Sequence, residues 1–171
     1  MMRRLAPILI VILVALLAGC DGGNDEGSTQ PPPATTAPET GEAALKQGVR
    51  TALNQNRRLS VYVLWNNRIP TWAERSTRGP ALAALRAAAA DRRKRGIRVR
   101  LLSDRFQVLS IRLDPSYARA TATARGRQRV RPYVNGKPGA RTVELNEKAR
   151  IELRRVGRSD RFVVWRVQIL D

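Results

Sequence analysis

The spacing of apolar residues changes at Gly96. Before it, Leu45, Val49, Ala52 and Leu53 recur three or four residues apart, which indicates one buried helix face. After it, apolar and polar residues alternate as in half-buried strands. Helices followed by strands predict an α+β fold, with two or three N-terminal helices packed on a curved antiparallel sheet of about four strands.

The helical half contains one ambiguous segment. Residues 59–65 are mostly apolar and suit a helix or a strand; we interpret them as the first helix continuing or restarting, with its end near Asn66 and Asn67 because Pro70 follows. A second helix begins at Gly79 and Pro80, and Gly96 is its predicted C-terminal cap.

The last turn of that second helix is basic, with Arg92, Arg93, Lys94 and Arg95 in succession. Cations there are favoured by the helix dipole, and this structural role weakens the case for a dedicated nucleic-acid patch.

Strands are predicted over residues 97–101 and 106–113, from residue 117 onward, over 141–154 and over 161–170, with a hairpin loop at 135–139. Alternation on the last strand places Val163, Trp165, Val167 and Ile169 on one face and Phe162, Val164, Arg166 and Gln168 on the other.

The strand that begins at residue 117 alternates alanine with arginine or threonine. Its arginines and those of the following strand are candidate anion-binding residues: Arg119, Arg125, Arg127, Arg129, Arg150 and Arg154. Such a face suits anionic lipid or a cell-wall polymer. Nucleic acid is disfavoured because surface aromatic residues for base stacking are scarce. Arginine supplies all but four of the 32 basic residues, which selection for anion contacts and a GC-rich genome explain equally well.

The first 19 residues have the organisation of a signal peptide. A cationic start with Arg3 and Arg4 precedes an apolar run at 5–18 that is too short to span a bilayer comfortably. The stretch Leu17-Ala18-Gly19-Cys20 resembles a bacterial lipobox, and the resemblance implies cleavage before Cys20 and a diacylglyceryl lipid on its sulfur. The alternative is an ordinary secretory signal in which the only cysteine of the chain is incidental.

Residues 20–41 form a predicted tether rich in Gly, Pro, Ser and Thr. It carries four acidic residues and no basic residue, and it has no large apolar side chain with which to fold. Residues 42–171 are long enough for one domain with its own core. The lipobox therefore predicts a protein anchored by lipid on the extracytoplasmic face of the bacterial cytoplasmic membrane.

The domain at 42–171 resembles the nuclear transport factor 2-like superfamily, which includes SnoaL-type proteins and ketosteroid isomerases. The resemblance rests on helices followed by Gly96-Ile97-Arg98-Val99, the strand Val108-Leu109-Ser110-Ile111-Arg112-Leu113, Ala120-Thr121-Ala122 and the closing Val164-Trp165-Arg166-Val167. It implies a cone-shaped fold that places Asp, His or Tyr inside when the member is an enzyme. Members of the superfamily often pair through the outer face of the sheet, so a dimer is one alternative. Repulsion between the like charges on that face would oppose such a dimer.

Catalytic groups are scarce in this sequence. It has no histidine, Glu144 and Glu152 fall on outward positions, and three aspartates, Asp104, Asp114 and Asp160, are predicted in turns. Glu147 alone falls on an inward position, either as a rim residue that pairs with an arginine or as a catalytic group. No metal-ligand or phosphate-loop spacing is present, and we predict no cofactor.

Three tryptophans are candidate pocket-lining residues: Trp65, Trp72 and Trp165. Trp65 and Trp72 could stack a ligand, but tryptophans in helical segments more often anchor a core.

Together these features predict a non-catalytic module that binds an envelope partner or a small ligand in the cone. The first alternative is an arginine-face binder of anionic lipid or cell-wall polymer. An isomerase-type or hydrolase-type enzyme that uses Glu147 is the second alternative.

Overall fold

The computed structural model describes residues 41–170. The predicted signal peptide, Cys20 and the predicted tether up to residue 40 lie outside this range, as does Asp171. Within residues 41–170, neither helix combines the length and apolarity that a membrane span requires.

The first helix, α1, spans Glu42–Asn66 without a break, so residues 59–65 continue it. It ends at Asn67, whose backbone is left-handed (φ 51°) and whose N–H donates to the Val63 carbonyl. A single 3₁₀ turn at Ala73–Arg75 leads to the second helix, α2, at Gly79–Lys94. Gly96 follows the end of α2 at φ +65°, where an added Cβ would lie 2.1 Å from the Asn135 side-chain oxygen.

The sheet is antiparallel and confirms the predicted α+β class. Its strands are β1 (Ile97–Leu113), β2 (Arg119–Val134), β3 (Lys137–Pro138), β4 (Val143–Arg155) and β5 (Phe162–Leu170). The order is β1-β2-β4-β5, with the two-residue β3 paired to the end of β2. Asn135 and Gly136 both have positive φ, so the predicted 135–139 loop is a tight two-residue turn between β2 and β3.

Strand β1 is one continuous strand, where the sequence predicted two. Its register against β2 shifts between Leu101 and Ser103 and again between Val108 and Ser110. Each shift adds one residue to β1 and interrupts the alternation of apolar and polar positions. The sequence pattern therefore indicates two short strands, although the backbone forms one continuous strand.

The predicted faces of β5 are wrong at its start. A register shift at Glu152/Leu153 places Phe162 and Val164 in the main core, both nearly inaccessible to solvent. Trp165 is left without a paired residue on β4. Residues of the connection before α2 cover this edge of the sheet, because Thr77 bridges Val164 in parallel and the Arg78 N–H donates to the Val164 carbonyl.

The main core lies between α1 and the inward face of the sheet. It contains the apolar stripe of α1 together with Ala120, Ala122 and Ala124 of β2, which are at most 2% exposed. The backbone of α1 comes near the sheet mainly at β1 and β5. A second cluster joins α1 to α2 through Leu59, Val63 and their neighbours. Within residues 41–170, every buried core residue lies between residues 45 and 164.

A buried hydrogen-bond network joins the two helices to β1. The Arg92 guanidinium, on a residue 4% exposed, donates to Asn67 Oδ1 at 3.0 Å and to the Val63 carbonyl at 3.3 Å. The Asn67 amide donates in turn to the Ile97 carbonyl. Burial lowers the pKa of Arg92, and the nearby Asp91 partly opposes that effect. Arg92 therefore caps the carboxyl end of α1 and does not belong to a solvated basic cluster.

We expect Arg92→Ala to lower the free energy of unfolding by about 2–4 kcal/mol, because it leaves the Val63 carbonyl and Asn67 Oδ1 buried without this donor. The exposed neighbour Arg93 is the matched control, and Arg93→Ala should stay within about 0.5 kcal/mol of wild type. Urea unfolding measures both values. Equal stability of the two variants would contradict the role assigned to Arg92.

Candidate ligand cavity and arginine face

A cavity of about 230 Å³ lies between the two helices and the inward face of the sheet. Side chains from α1, α2, β1, β2, β4 and β5 line it, and most of them are apolar, including Leu53, Leu85, Phe106 and Val167. Its polar groups come from a few residues that reach the same space, among them Asn56, Gln128 and Glu147. Such a mixture is typical of small-molecule sites.

The cavity exists because small residues occupy neighbouring inward positions on the sheet. Gly126 pairs with Phe106 on one side and Glu147 on the other, and Ala124 pairs with Ala149 in the next inward row. A Cβ added to Gly126 would meet no atom within 4 Å. The helices, held at the distance set by their contacts elsewhere, therefore leave space above Gly126.

Glu147 faces this cavity, as its inward register predicts. The residue is half-buried, and burial raises the pKa of its carboxyl group. Within the part of the chain that the structure describes, the carboxylate forms no salt bridge, so no arginine there neutralises it. It is therefore a carboxyl group that can accept a hydrogen bond when ionised and donate one when protonated.

Asp104 is not in a turn, as the sequence predicted, but in the middle of β1 on its inward side. Its side chain is 5% exposed and pairs with Arg57 of α1, whose guanidinium lies 5.9 Å from the centroid of the Phe106 ring. The Asp104 Oδ1 atom is buried without a hydrogen-bond partner. The register shift at Leu101/Ser103 produces this position. Asp114 and Asp160 do lie in connections between strands.

The three tryptophans lie outside the cavity wall. Trp65 is 38% exposed and meets Tyr133 edge-on with ring centroids 5.3 Å apart, while Trp72 packs edge-on against Tyr62 at 6.1 Å. Trp165 lies under the Arg154 guanidinium at 3.6 Å, next to the start of α2. The structure does not bring the three rings together, and each ring packs against a different residue.

Among the elements of residues 41–170, no helix lies on the opposite face of the sheet, which is strongly basic. All six predicted anion-binding residues are exposed on this side of β2 and β4. Arg98 of β1 is exposed as well, but its guanidinium lies 6.0 Å from the centroid of the Trp65 ring of α1. We call the other outward basic residues of the four long strands the arginine face: Arg100, Arg105, Arg112, Arg119, Arg125, Arg127, Arg129, Arg131, Lys148, Arg150, Arg154 and Arg166. The acidic residues at outward positions of these strands are Glu144 and Glu152.

Six of the twelve residues of the arginine face were not predicted from the sequence as anion-binding residues. Arg105 lies between the two register shifts of β1, so its orientation could not be assigned before the pairing of β1 with β2 was known. Arg100 was visible in the sequence, because it alternates with Val99 and Leu101. In the structure it lies opposite Arg131.

Within residues 41–170, no group of three or more acidic, histidine or cysteine side chains converges to hold a metal ion. The chemistry of the described residues is therefore that of one cavity carboxyl group and one cationic surface.

No family model matches the chain, and no curated protein matches it in sequence. Among solved structures, the crystal structure of the intermembrane space region of the chloroplast protein ARC6 is similar, with a TM-score of 0.60 and 12% sequence identity. The match covers 72% of this chain and 95% of that one. At this identity the likeness shows a shared α+β fold and nothing about activity.

The raised pKa of Glu147 predicts a pH-dependent stability. Between the unfolded pKa and the higher folded pKa the folded protein holds a proton that the unfolded chain has released, so stability falls as pH rises through this window. Glu147→Gln removes the titration. We expect the free energy of unfolding of this variant, relative to that of wild type, to increase as pH rises from the unfolded pKa through the folded pKa of Glu147. Urea unfolding at several pH values across this window measures it.

The control for losing a negative charge from β4 is Glu144→Gln, at an exposed position on the same strand. If the difference in the free energy of unfolding between Glu147→Gln and wild type stays constant with pH, Glu147 has the same pKa in the folded and unfolded states. That result would contradict the prediction.

Proposed function

We propose that this protein is a lipid-anchored, extracytoplasmic binding protein of the nuclear transport factor 2-like superfamily, whose cavity takes up a small, largely apolar ligand. The observation that carries the proposal is the half-buried Glu147 carboxyl group facing an otherwise mainly apolar cavity of about 230 Å³. Helices that precede and cover one face of an antiparallel sheet support the superfamily assignment.

The size of the cavity limits the ligand. Benzene fills an apolar cavity of about 150 Å³, so a space of about 230 Å³ corresponds to roughly nine or ten non-hydrogen atoms. Apolar lining favours a hydrophobic body, and the Glu147 carboxylate favours one hydrogen-bond donor on it. The proposed ligand class is therefore a small apolar molecule with a hydroxyl or N–H group.

Binding is proposed in preference to catalysis because the cavity offers one group that can exchange protons and no second one beside it to complete an acid–base pair. Glu147 is the one carboxyl group among the residues that line the cavity, and the two arginines there, Arg57 and Arg92, stay protonated. Ser60 lines the cavity as well, but its hydroxyl donates to the Asn56 carbonyl of the same helix. The described lining therefore supplies an anchor for a polar group and little else that reacts.

A matched pair of probes tests the cavity. Indole and benzofuran have the same shape and nine ring atoms, and only indole donates a hydrogen bond. We expect indole to raise the Tm of the wild type more than benzofuran does, since ligands that bind the folded state stabilise it. Glu147→Gln should reduce this difference between the two probes.

Gly126→Leu should abolish stabilisation by either probe while leaving the protein folded, because its side chain enters the empty space above β2. Thr123→Leu is the control that adds the same bulk to the outward face of β2. Probe binding that survives Gly126→Leu, or is lost with Thr123→Leu, would place the ligand site elsewhere.

The anchored location has its own test. Expressed with its leader in a bacterium, the wild type should be recovered from membranes with a mass that corresponds to a chain beginning at Cys20 plus a diacylglyceryl group. Cys20→Ser should retain the leader and lack the lipid mass. Wild-type protein without acyl mass would refute the anchor and leave the cavity proposal unaffected.

A further inference from the structure

We propose that the arginine face is a docking surface for a bilayer that contains anionic phospholipids. The proposal goes beyond the cavity function, because the surface lies on the side of the sheet away from the helices and shares no side chain with the cavity.

The charge of this face is not balanced within the described residues. None of the four salt bridges between residues 41 and 170 involves a side chain of the arginine face. Glu144 and Glu152 lie opposite Arg129 and Arg166, but elsewhere like charges are direct cross-strand neighbours. Examples are Arg105 opposite Arg127 and Arg125 opposite Lys148. Like charges in these positions destabilise a sheet. An anionic partner would remove this repulsion, so the face is complementary to a negatively charged surface.

The centre of the face has the groups that bind a phosphate. Arg105, Arg127 and Arg129 border one shallow groove, together with the Ser103 and Asn146 side chains and one carboxylate, Glu144, so three guanidinium groups outnumber a single negative charge there. Guanidinium groups donate paired hydrogen bonds to phosphate oxygens, and the hydroxyl and amide can add single ones. The groove is open, as a headgroup that remains attached to a bilayer requires.

Exposed leucines favour a lipid surface over a hydrated polymer. Leu102 and Leu109 are each 42% exposed, and they occupy the two register shifts of β1 on either side of Arg105. At a bulge two residues oppose one, which leaves each leucine next to the outward-facing Ser103 or Ser110. A wall polymer or a nucleic acid would leave these side chains in water. The interfacial region of a bilayer buries apolar side chains while its headgroups contact the arginines.

The affinity that docking requires rests on the proposed function. A lipid on Cys20 would hold the domain close to the membrane, and this high effective concentration would make a weak docking surface sufficient. Docking itself needs no anchor and can be measured without one.

The experiment uses residues 21–171, which include every residue that the structure describes and lack the proposed lipidation site, Cys20. Co-sedimentation compares vesicles of phosphatidylcholine with vesicles in which about a third of the lipid is phosphatidylglycerol. We expect binding to the anionic vesicles only, and weaker binding as salt is added. A triple variant removes the groove: Arg105→Gln, Arg127→Gln and Arg129→Gln. It should bind on the order of a hundredfold more weakly.

The matched control removes three exposed charges from the helices: Arg58→Gln, Arg93→Gln and Lys94→Gln. It should lose much less binding than the groove variant. Equal losses in the two triple variants would overturn the proposal, because net charge and not the arginine face would then govern binding.

Variants of Leu102 and Leu109 distinguish docking on a lipid bilayer from binding of an anionic polymer. The double variant Leu102→Ser and Leu109→Ser keeps every charge and should weaken vesicle binding by about tenfold. Val134→Ser, at an apolar residue 39% exposed beyond the face, should not. Binding of soluble polyphosphate should be insensitive to the leucine change. Vesicle binding that is equally insensitive would overturn lipid docking in favour of a general polyanion site.

The two proposals fail separately. Gly126→Leu should leave vesicle binding intact, and the groove variant should leave stabilisation by indole intact. Loss of both properties in either variant would show that the two surfaces are not independent.

Discussion

The structure depends on the small side chains that β2 presents to the helices. Ala120, Ala122 and Ala124 are buried in the main core with the apolar stripe of α1, and Gly126, the next inward residue, presents no side chain at all. The same row of small residues thus gives a packed core at one end and an unfilled space at the other. The position of Glu147 beside Gly126 then makes that space chemically asymmetric, with one carboxyl group on a mainly apolar wall.

Periodicity predicted both helices and the strands β2, β4 and β5, although it left residues 59–65 ambiguous and divided β1 into two. Each helix carries an apolar stripe at three- and four-residue spacing, and Pro80 and Gly96 mark the start and end of α2. The alternation on β2 and β4 is regular over long segments, so it correctly assigned the inward alanines and Glu147. These are local signals that require no knowledge of what packs against them.

Three features could not be predicted because they depend on pairing between distant segments. The register shifts of β1 and β5 changed the side on which Asp104 and Val164 lie, and alternation alone does not reveal a bulge. Arg92 is indistinguishable in sequence from its basic neighbours, yet it is buried because the end of α1 lies against it. The cavity is likewise a property of the distance between layers, which no stretch of sequence contains.

Strand β2 contributes to both candidate surfaces, since its even-numbered residues from Ala120 to Gly126 face the helices and its odd-numbered residues from Arg119 to Arg129 face outward. Because side chains alternate with a period of two, removal of a single residue in the strand would exchange the two sets beyond that point. Guanidinium groups would then point into the core while alanines and glycine replaced them outside. A change of one residue in the length of this strand is therefore compatible with both surfaces only where a bulge absorbs it, as the two register shifts of β1 do.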